Sequence, residues 1–132
     1  MSGRLSGLWL ALAGVNGGIA VATGAYATHG LADRAAELFR TASQYQMWHA
    51  LALVGVALLA RQMLPRAAQI SVTIAGAAFL IGTMLFCGSL YRLALHGRDA
   101  LSMLAPYGGT SFMLGWLALT IAGLFWLHRP AG

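Results

Sequence analysis

The stretch that decides the fold is ISVTIAGAAFLIGTMLFCGSL, residues 70–90, in which no side chain carries a charge. A helix needs about 20 apolar residues to cross a hydrocarbon core of about 30 Å. Because no water is present there, a segment of this composition satisfies its backbone N–H and C=O groups only as a helix. The stretch therefore predicts a transmembrane helix.

The rest of the chain has the same character. Of its 132 residues, 59% are hydrophobic and 8% are charged, whereas soluble domains carry about 25% charged residues. The sequence predicts an all-α protein of one domain, residues 1–132, that forms an integral membrane four-helix bundle. The predicted spans cover residues 5–27, 45–63, 70–92 and 109–127.

The loop after the first span has an amphipathic pattern. Ala35, Leu38 and Phe39 share one helical face, and Glu37 and Arg40 share the other. This pattern is typical of a helix that lies in the membrane interface. We therefore expect a short interfacial helix over residues 33–44.

The first span resembles a secretory signal peptide, because Arg4 precedes it and Ala25-Tyr26-Ala27 at its end mimics a cleavage site. The apolar segment of a signal peptide has about 7–15 residues, however, and the run from residue 5 to residue 27 is longer. The sequence therefore predicts that the first span is retained.

Small residues recur at alternating spacings of four and three along three spans, which lets membrane helices approach closely. We therefore expect these stripes to face neighbouring helices in a tight bundle. They consist of Gly7, Ala11, Gly14, Gly18, Val21, Ala25 and Thr28 in span one, Ser71, Ala75, Ala78, Gly82 and Ser89 in span three, and Gly108, Ser111, Gly115, Ala118 and Ala122 in span four.

The net charge of +5 comes from arginines that are scattered beside the spans. A nucleic-acid surface needs clustered basic residues, so no nucleic-acid partner is expected, and contacts with membrane lipid are. Four arginines flank each side, but all three acids lie on the side of the first loop, which leaves the other side more positive. The count of arginines leaves the positive-inside rule undecided. From the net charges we expect a multi-pass protein of the bacterial inner membrane with both termini in the cytoplasm.

Polar aromatic and ionisable side chains concentrate at one end of the predicted bundle. All four tyrosines and three of the four histidines fall there. Three interpretations stay open: an interfacial belt, a binding site for a lipid head group or another ligand, and a metal site. The candidate binding residues are Tyr26, His29, Tyr45, Gln46, His49, Tyr91 and Arg92.

The metal interpretation has few donors. A zinc site uses three or four ligands, and only His29 and His49 come from neighbouring segments. No carboxylate lies in a span to orient a histidine for nucleophilic catalysis. The sequence therefore predicts no metal ligands, no cofactor and no catalytic residues.

Two further residues, Asn16 and Glu37, are expected to have structural roles. Arg92 lies where the apolar run of span three has not clearly ended, so it must snorkel, pair or face a polar cavity. An ion pair with Glu37 or Asp33 is one candidate, and a lipid phosphate is another. Asn16 is the one amide side chain deep in a predicted span, and we expect it to hydrogen-bond across a helix interface.

Four motifs occur in a particular order: Gly24-Ala25-Tyr26-Ala27-Thr28-His29, Tyr45-Gln46-Met47-Trp48-His49, Gly88-Ser89-Leu90-Tyr91-Arg92 and Pro106-Tyr107-Gly108-Gly109. In this order the chain resembles an uncharacterised family of small inner-membrane proteins of the YgdD/YwdK type. The resemblance covers nearly the whole chain. It implies four transmembrane helices and a retained first span, and it implies no reaction.

The sequence favours a non-enzymatic accessory or scaffold protein that binds lipid or a partner through its tyrosine- and histidine-rich end. The partner could be membrane lipid, another membrane protein or a second copy of the chain. The alternative is a membrane metal or redox factor, or an enzyme, that uses His29 and His49.

Overall fold

The structure, a computed structural model, describes residues 3–130, and all of its regular elements are helices. The helices are α1 (Gly3–His29), α2 (Asp33–Leu59), α3 (Arg66–Gly82), a π segment (Thr83–Cys87), α4 (Gly88–His96), a 3-10 turn (Ser102–Leu104) and α5 (Ala105–Leu127). No strand occurs in these residues. The predicted all-α class is confirmed.

The third long helix is continuous from Arg66 to His96. It contains α3, the π segment and α4 without a break, so four long helices make up the bundle. Short turns without strands join them, and Pro65 directly precedes α3, where its missing N–H costs no helical hydrogen bond. Gly97 ends the third helix with φ of 78°, a conformation that favours glycine.

The four helices form two antiparallel hairpins. α1 packs along α2, and the third helix packs along α5. The third helix also contacts α2, so the two hairpins join through α2 and the third helix. The largest fully buried side chains of the resulting core are Leu53, Val56, Val72, Phe79 and Cys87.

Residues 33–44 differ from the prediction of a separate interfacial helix. They form the first turns of α2, which runs without interruption to Leu59. No glycine or proline occurs between Asp33 and Val54, so nothing in the sequence ends the helix before residue 45. Ala36, Phe39 and Ala42 are buried, and they hold these turns in the bundle.

The small-residue stripes of the last two spans lie where the spacing predicts. Ala75, Gly82, Gly108 and Gly115 are all buried between the third helix and α5. A Cβ at Gly115 would meet the Phe79 ring at 2.5 Å, so glycine is required for this approach.

The predicted stripe in span one faces the outside of the bundle and not a neighbouring helix. All seven of its members are exposed, and no atom lies within 4 Å of an added Cβ at Gly7, Gly14 or Gly18. The inner face of α1 is built from a second series of small residues at sevenfold spacing: Ser6, Ala13, Ala20 and Ala27. The prediction for this stripe was wrong because α1 has two small-residue faces.

Three helices in the described residues are long and apolar enough to cross a membrane: Gly3–His29, Arg66–His96 and Ser102–Leu127. α2 is as long as α1, but its first two turns carry Asp33, Arg34, Glu37 and Arg40. The span predicted at residues 45–63 overlaps its apolar half, which ends at Leu59 rather than at residue 63. Its insertion in the membrane stays a prediction.

Candidate functional site

Four polar side chains form a hydrogen-bonded chain inside the bundle. The Gln46 Nε2 donates to Asn16 Oδ1 at 3.0 Å, and the Tyr91 hydroxyl donates to Gln46 Oε1 at 2.8 Å. Thr23 Oγ1 lies 2.9 Å from the Tyr91 oxygen, within hydrogen-bond distance. We call Asn16, Thr23, Gln46 and Tyr91 the polar chain. It links α1, α2 and the third helix.

In the polar chain, Asn16 bonds across the interface between α1 and α2. Its amide also donates to the Leu12 carbonyl at 2.9 Å. Gln46, predicted as a binding residue, is 4% exposed. Both ends of its side-chain amide have protein partners, so its position supports packing more directly than ligand contact.

His49 is buried on α2, and both nitrogens of its ring have partners. The Trp116 indole N–H donates to His49 Nε2 at 3.1 Å, so this nitrogen accepts. The Nδ1 atom therefore carries the proton and donates to the Tyr45 carbonyl at 2.6 Å. These contacts fix one neutral tautomer, and neither nitrogen remains to ligate a metal.

Aromatic rings enclose the His49 imidazole. Phe112 stacks on it with ring centroids 3.6 Å apart and an angle of 10° between the planes. Phe79 and Trp116 contact it at centroid distances of 5.3 and 5.8 Å. Because α2 and α5 do not pack closely along their length, these rings fill the space between the two helices.

A groove of about 680 Å³ lies beside this cluster, between α2 and the start of α5. Its volume is within the range of about 300–1,000 Å³ that is typical of ligand sites. The exposed side chains of Trp48 and Met113 show that it opens to the outside of the bundle. We call it the α2–α5 groove, and its aromatic lining consists of Tyr45, Trp48, His49, Phe86, Phe112 and Trp116.

Of the seven predicted binding residues, only Tyr45 and His49 line the groove. His29 is exposed at the end of α1, and Tyr26 packs edge-on against Phe39 at a centroid distance of 5.6 Å. A Cβ at Gly17 would lie 4.0 Å from that of Ala50, so Gly17 is level with the turn that holds His49. His29 is twelve residues further along α1, about 18 Å at 1.5 Å per residue. The structure therefore does not bring His29 and His49 together.

Arg92 pairs with an acid that was not anticipated. Its Nε lies 2.7 Å from Asp99 Oδ2 in the loop after α4, so the partner is not Glu37 or Asp33. The loop turns back directly after Gly97, and Asp99 is therefore the nearest acid. Glu37 is exposed on α2, and its predicted role in an ion pair with Arg92 was wrong.

Asp99 also organises the loop before α5. Its backbone N–H donates to Ser102 Oγ and its Oδ1 accepts from the Ser102 backbone N–H, both at 2.8 Å. The bond from the Ser102 N–H, together with the bond from Arg92, lowers the pKa of Asp99 below its usual range. Ser89 Oγ donates to the Leu101 carbonyl at 3.1 Å and fastens this loop to α4.

Sequence reasoning did not identify four of the groove residues: Trp48, Phe86, Phe112 and Trp116. A signal was present, because Phe112 and Trp116 are four residues apart on α5, as Tyr45 and His49 are on α2. Two such pairs indicate two aromatic helix faces. Nothing in the spacing shows that these faces are opposite each other.

No group of three or more histidine, cysteine, aspartate or glutamate side chains in residues 3–130 is placed to hold a metal ion. The one cysteine, Cys87, is 1% exposed in the core and far from His29 at the end of α1. The groove beside His49 is therefore mainly apolar, and the ring nitrogens of His49 in its wall are hydrogen-bonded to protein groups.

An all-helical chain with three apolar helices of membrane-spanning length defines a small helical membrane protein. Residues 23–109 match the family described as "Protein of unknown function (DUF423)". The chain belongs to this family. It is also similar to bacterial UPF0382 membrane proteins.

Three relatives show how far the similarity extends. The chain is 35% identical to the UPF0382 membrane protein YwdK of Bacillus subtilis, over 91% of this chain and 98% of that protein. It is 36% identical to the inner membrane protein YgdD of Escherichia coli, over 91% of both. It is 37% identical to a UPF0382 membrane protein of Haemophilus influenzae, over 84% of this chain and 89% of that protein. No solved structure matches.

Proposed function

We propose that this protein is a non-enzymatic lipid-binding protein of the bacterial inner membrane, which holds an acyl chain in the α2–α5 groove. The observation that carries the proposal is the groove itself, about 680 Å³ with an aromatic lining that opens outward from the bundle. In a membrane, an apolar groove of this kind is in contact with lipid chains. Rigid aromatic walls would hold one chain more firmly than a flat helix surface does.

The state of His49 supports a binding role over a catalytic one. A general base needs a nitrogen that can reach the substrate. Here Nε2 accepts from Trp116 and Nδ1 donates to the Tyr45 carbonyl, so the imidazole acts as part of the wall. The distance of about 18 Å between the levels of His29 and His49 gives the metal and redox alternative no geometric support.

We further infer that α2 spans the membrane in addition to the three apolar helices, which gives four spans, and that both termini lie in the cytoplasm. Three apolar helices and their packing as two hairpins support this arrangement, because α2 must cross to join the first span to the third helix. A second copy or another membrane protein, expected as alternative partners, stay predictions.

The groove can be tested by filling it. Gly109 lines the groove, and no atom lies within 4 Å of an added Cβ there. A Gly109→Phe substitution should therefore occupy the groove without disturbing the helices. We expect native mass spectrometry of the detergent-purified wild type, reconstituted with phosphatidylcholine and phosphatidylglycerol, to show one retained phospholipid. Gly109→Phe should lose it.

Gly14→Phe is the matched control, because Gly14 is exposed on α1 and equally open around its Cβ. It adds the same ring to a helix surface outside the groove, and the lipid should stay bound. A wild type that retains no lipid, or a Gly109→Phe variant that retains as much as Gly14→Phe, would contradict the proposal.

A further inference from the structure

A second cleft lies between the first turn of α2 and the end of α4. It has a volume of about 450 Å³, and its walls are formed by Arg34, Leu38, Leu93, Ala94, Gly97 and Arg98. Arg34 comes from α2 and Arg98 from the loop after α4, so the two guanidinium groups belong to opposite walls. We call it the Arg34–Arg98 cleft.

Both arginines are exposed, and neither forms an ion pair with a described residue. The acids beside them are Asp33, Glu37 and Asp99. Asp99 is engaged by Arg92 and by the Ser102 backbone N–H, so it does not neutralise Arg98. Asp33 and Glu37 are exposed, and neither reaches Arg34 closely enough to form an ion pair.

The walls between the arginines are apolar, from Ala35 and Leu38 on one side and Leu93 and Ala94 on the other. A ligand that fits both features carries a negative group at one end and an apolar part at the other. Arginine binds phosphate oxygens through paired N–H groups, which makes a phosphodiester the best match.

The cleft and the α2–α5 groove lie on the same side of α2. Leu38 borders the cleft and Tyr45 borders the groove, and residues seven apart lie on one face of a helix. Their separation along the axis is about 10 Å at 1.5 Å per residue. An acyl chain attached to a head group in the cleft is long enough to reach the groove.

We propose that the Arg34–Arg98 cleft binds the phosphate head group of an anionic phospholipid, and that the α2–α5 groove holds a chain of the same lipid. This inference rests on the proposed function for the groove and adds the class of lipid. It also accounts for the charged first turns of α2, which are placed at head-group depth when the groove lies in the hydrocarbon region.

The test compares two lipids that differ in head-group charge. The full-length protein is reconstituted with equal amounts of phosphatidylglycerol and phosphatidylcholine, then analysed by native mass spectrometry. We expect the wild type to retain phosphatidylglycerol preferentially. Arg34→Gln combined with Arg98→Gln should lower this preference by on the order of tenfold, because each arginine near the lipid surface contributes to anion binding.

Arg4→Gln combined with Arg61→Gln is the matched control, since both of these arginines are exposed in other parts of the chain. It changes the net charge equally and should leave the preference intact. The Arg34→Lys and Arg98→Lys pair keeps the charge and should retain a preference above that of the glutamine pair. Thermal unfolding of each variant by fluorescence-detected gel filtration shows that it is folded.

Three results would overturn the inference. The first is equal retention of the two lipids by the wild type, and the second is a preference for phosphatidylglycerol in the Arg34→Gln and Arg98→Gln double variant that equals that of the wild type. The third is displacement of phosphatidylglycerol by millimolar inorganic phosphate, which would identify a free-anion site. Equal retention that is abolished by Gly109→Phe would leave the proposed function standing. If the preference for phosphatidylglycerol depends on the two arginines but Gly109→Phe does not alter it, the result would contradict acyl-chain binding in the groove. It would still support head-group binding in the cleft.

Discussion

Gln46 is the residue on which the polar contacts of the interior converge. Its amide nitrogen bonds Asn16 on α1, and its amide oxygen accepts from Tyr91 on α4. Inside a membrane protein, hydrogen bonds between helices contribute about 0.6–2 kcal/mol each. A side chain that satisfies two helices at once therefore fixes how α1, α2 and the third helix are positioned relative to one another.

Tyr91→Phe tests the polar chain. The substitution removes the hydroxyl that donates to Gln46 and contacts Thr23 Oγ1, and leaves a buried amide oxygen without its partner. We expect the free energy of unfolding to fall by about 1–2 kcal/mol. The measurement is reversible denaturation in mixed detergent micelles.

Tyr107→Phe is the matched control. Tyr107 is 67% exposed and its hydroxyl makes no hydrogen bond with a described residue. The same loss of one oxygen should change the unfolding free energy by less than about 0.5 kcal/mol. Equal effects at the two tyrosines would contradict a stabilising role for the polar chain.

The Arg92–Asp99 pair predicts a dependence on pH. The pKa of Asp99 is lowered in the folded protein, so its stabilising contacts are fully present above the unfolded value of about 3.9. They are lost as the pH falls through the folded pKa. The difference in thermal midpoint between wild type and Asp99→Ala should stay constant from pH 7 to about pH 5 and shrink below about pH 4.

Glu37→Ala provides the comparison, because Glu37 is exposed and is not the ion-pair partner of Arg92. The difference in thermal midpoint between Glu37→Ala and the wild type should be small at every pH. A difference for Asp99→Ala that grows as the solution is acidified has the opposite sign and would exclude the proposed contacts.

At the level of elements, the packing of α5 on the third helix depends on glycine. A Cβ at Gly108 would collide with the backbone nitrogen of Phe86, which cannot move without shifting the π segment. Gly108→Ala should therefore cost about 1–3 kcal/mol of unfolding free energy, the range typical of overpacking. Fluorescence-detected thermal unfolding in detergent measures it.

Gly109→Ala is the neighbouring control, because an added Cβ there meets nothing within 4 Å. In a helix, alanine is favoured over glycine by about 0.5–1 kcal/mol, so this variant should be as stable as the wild type or slightly more stable. Comparable losses at the two positions would show that helix propensity, and not close approach, governs this region.

The sequence predicted most elements but not every helix face. Apolar runs indicated α1, the third helix, α5 and the apolar half of α2, but the first turns of α2 were assigned to a separate helix. The outer stripe of α1 was assigned inward, although Ser6 and Asn16, whose side chains bond to α2, belong to the other face. Polar side chains in a span bond inside the bundle, and this criterion would have chosen the correct face.

Over the whole molecule, the two hairpins place the α2–α3 turn and the α4–α5 loop at opposite ends of the bundle. Cys87 is 1% exposed, so the native chain offers a low background for thiol labelling. We expect a membrane-impermeant maleimide to label Leu101→Cys in intact cells and Met63→Cys only after permeabilisation. Both native side chains are exposed, at 55% and 83%.

The reverse labelling pattern would place both termini in the periplasm. Labelling of the two positions from the same side would contradict four spans, because the third helix, which joins them, would then have to return without crossing. As a control for accessibility, the introduced cysteines of the Leu101→Cys and Met63→Cys variants should both react fully in detergent.

The candidate site was predicted only in part, for a reason that lies in its geometry. Tyr45 and His49 are one turn apart on α2, and local spacing was enough to associate them. Their partners Phe112 and Trp116 come from α5, more than sixty residues later, and periodicity does not show which helices are adjacent. His29 was grouped with His49 by its nearness to the span ends, although about 18 Å of helix separates their levels.

The π segment of the third helix determines where this helix tolerates the deletion of a residue. A π turn holds one residue more than an α turn, so the π segment Thr83–Cys87 contains a supernumerary residue. Deleting exposed Met84 should leave a regular α-helix in which Tyr91 still meets Gln46. Deleting Ile74, which is also exposed, turns the helix on one side of it by about 100° relative to the other.

The yield of folded protein by fluorescence-detected gel filtration should therefore fall far more for the Ile74 deletion than for the Met84 deletion. Equal loss would show that the π segment is needed for its own shape. If the difference is found, this membrane helix can lose one residue at a single place and keep its binding faces aligned.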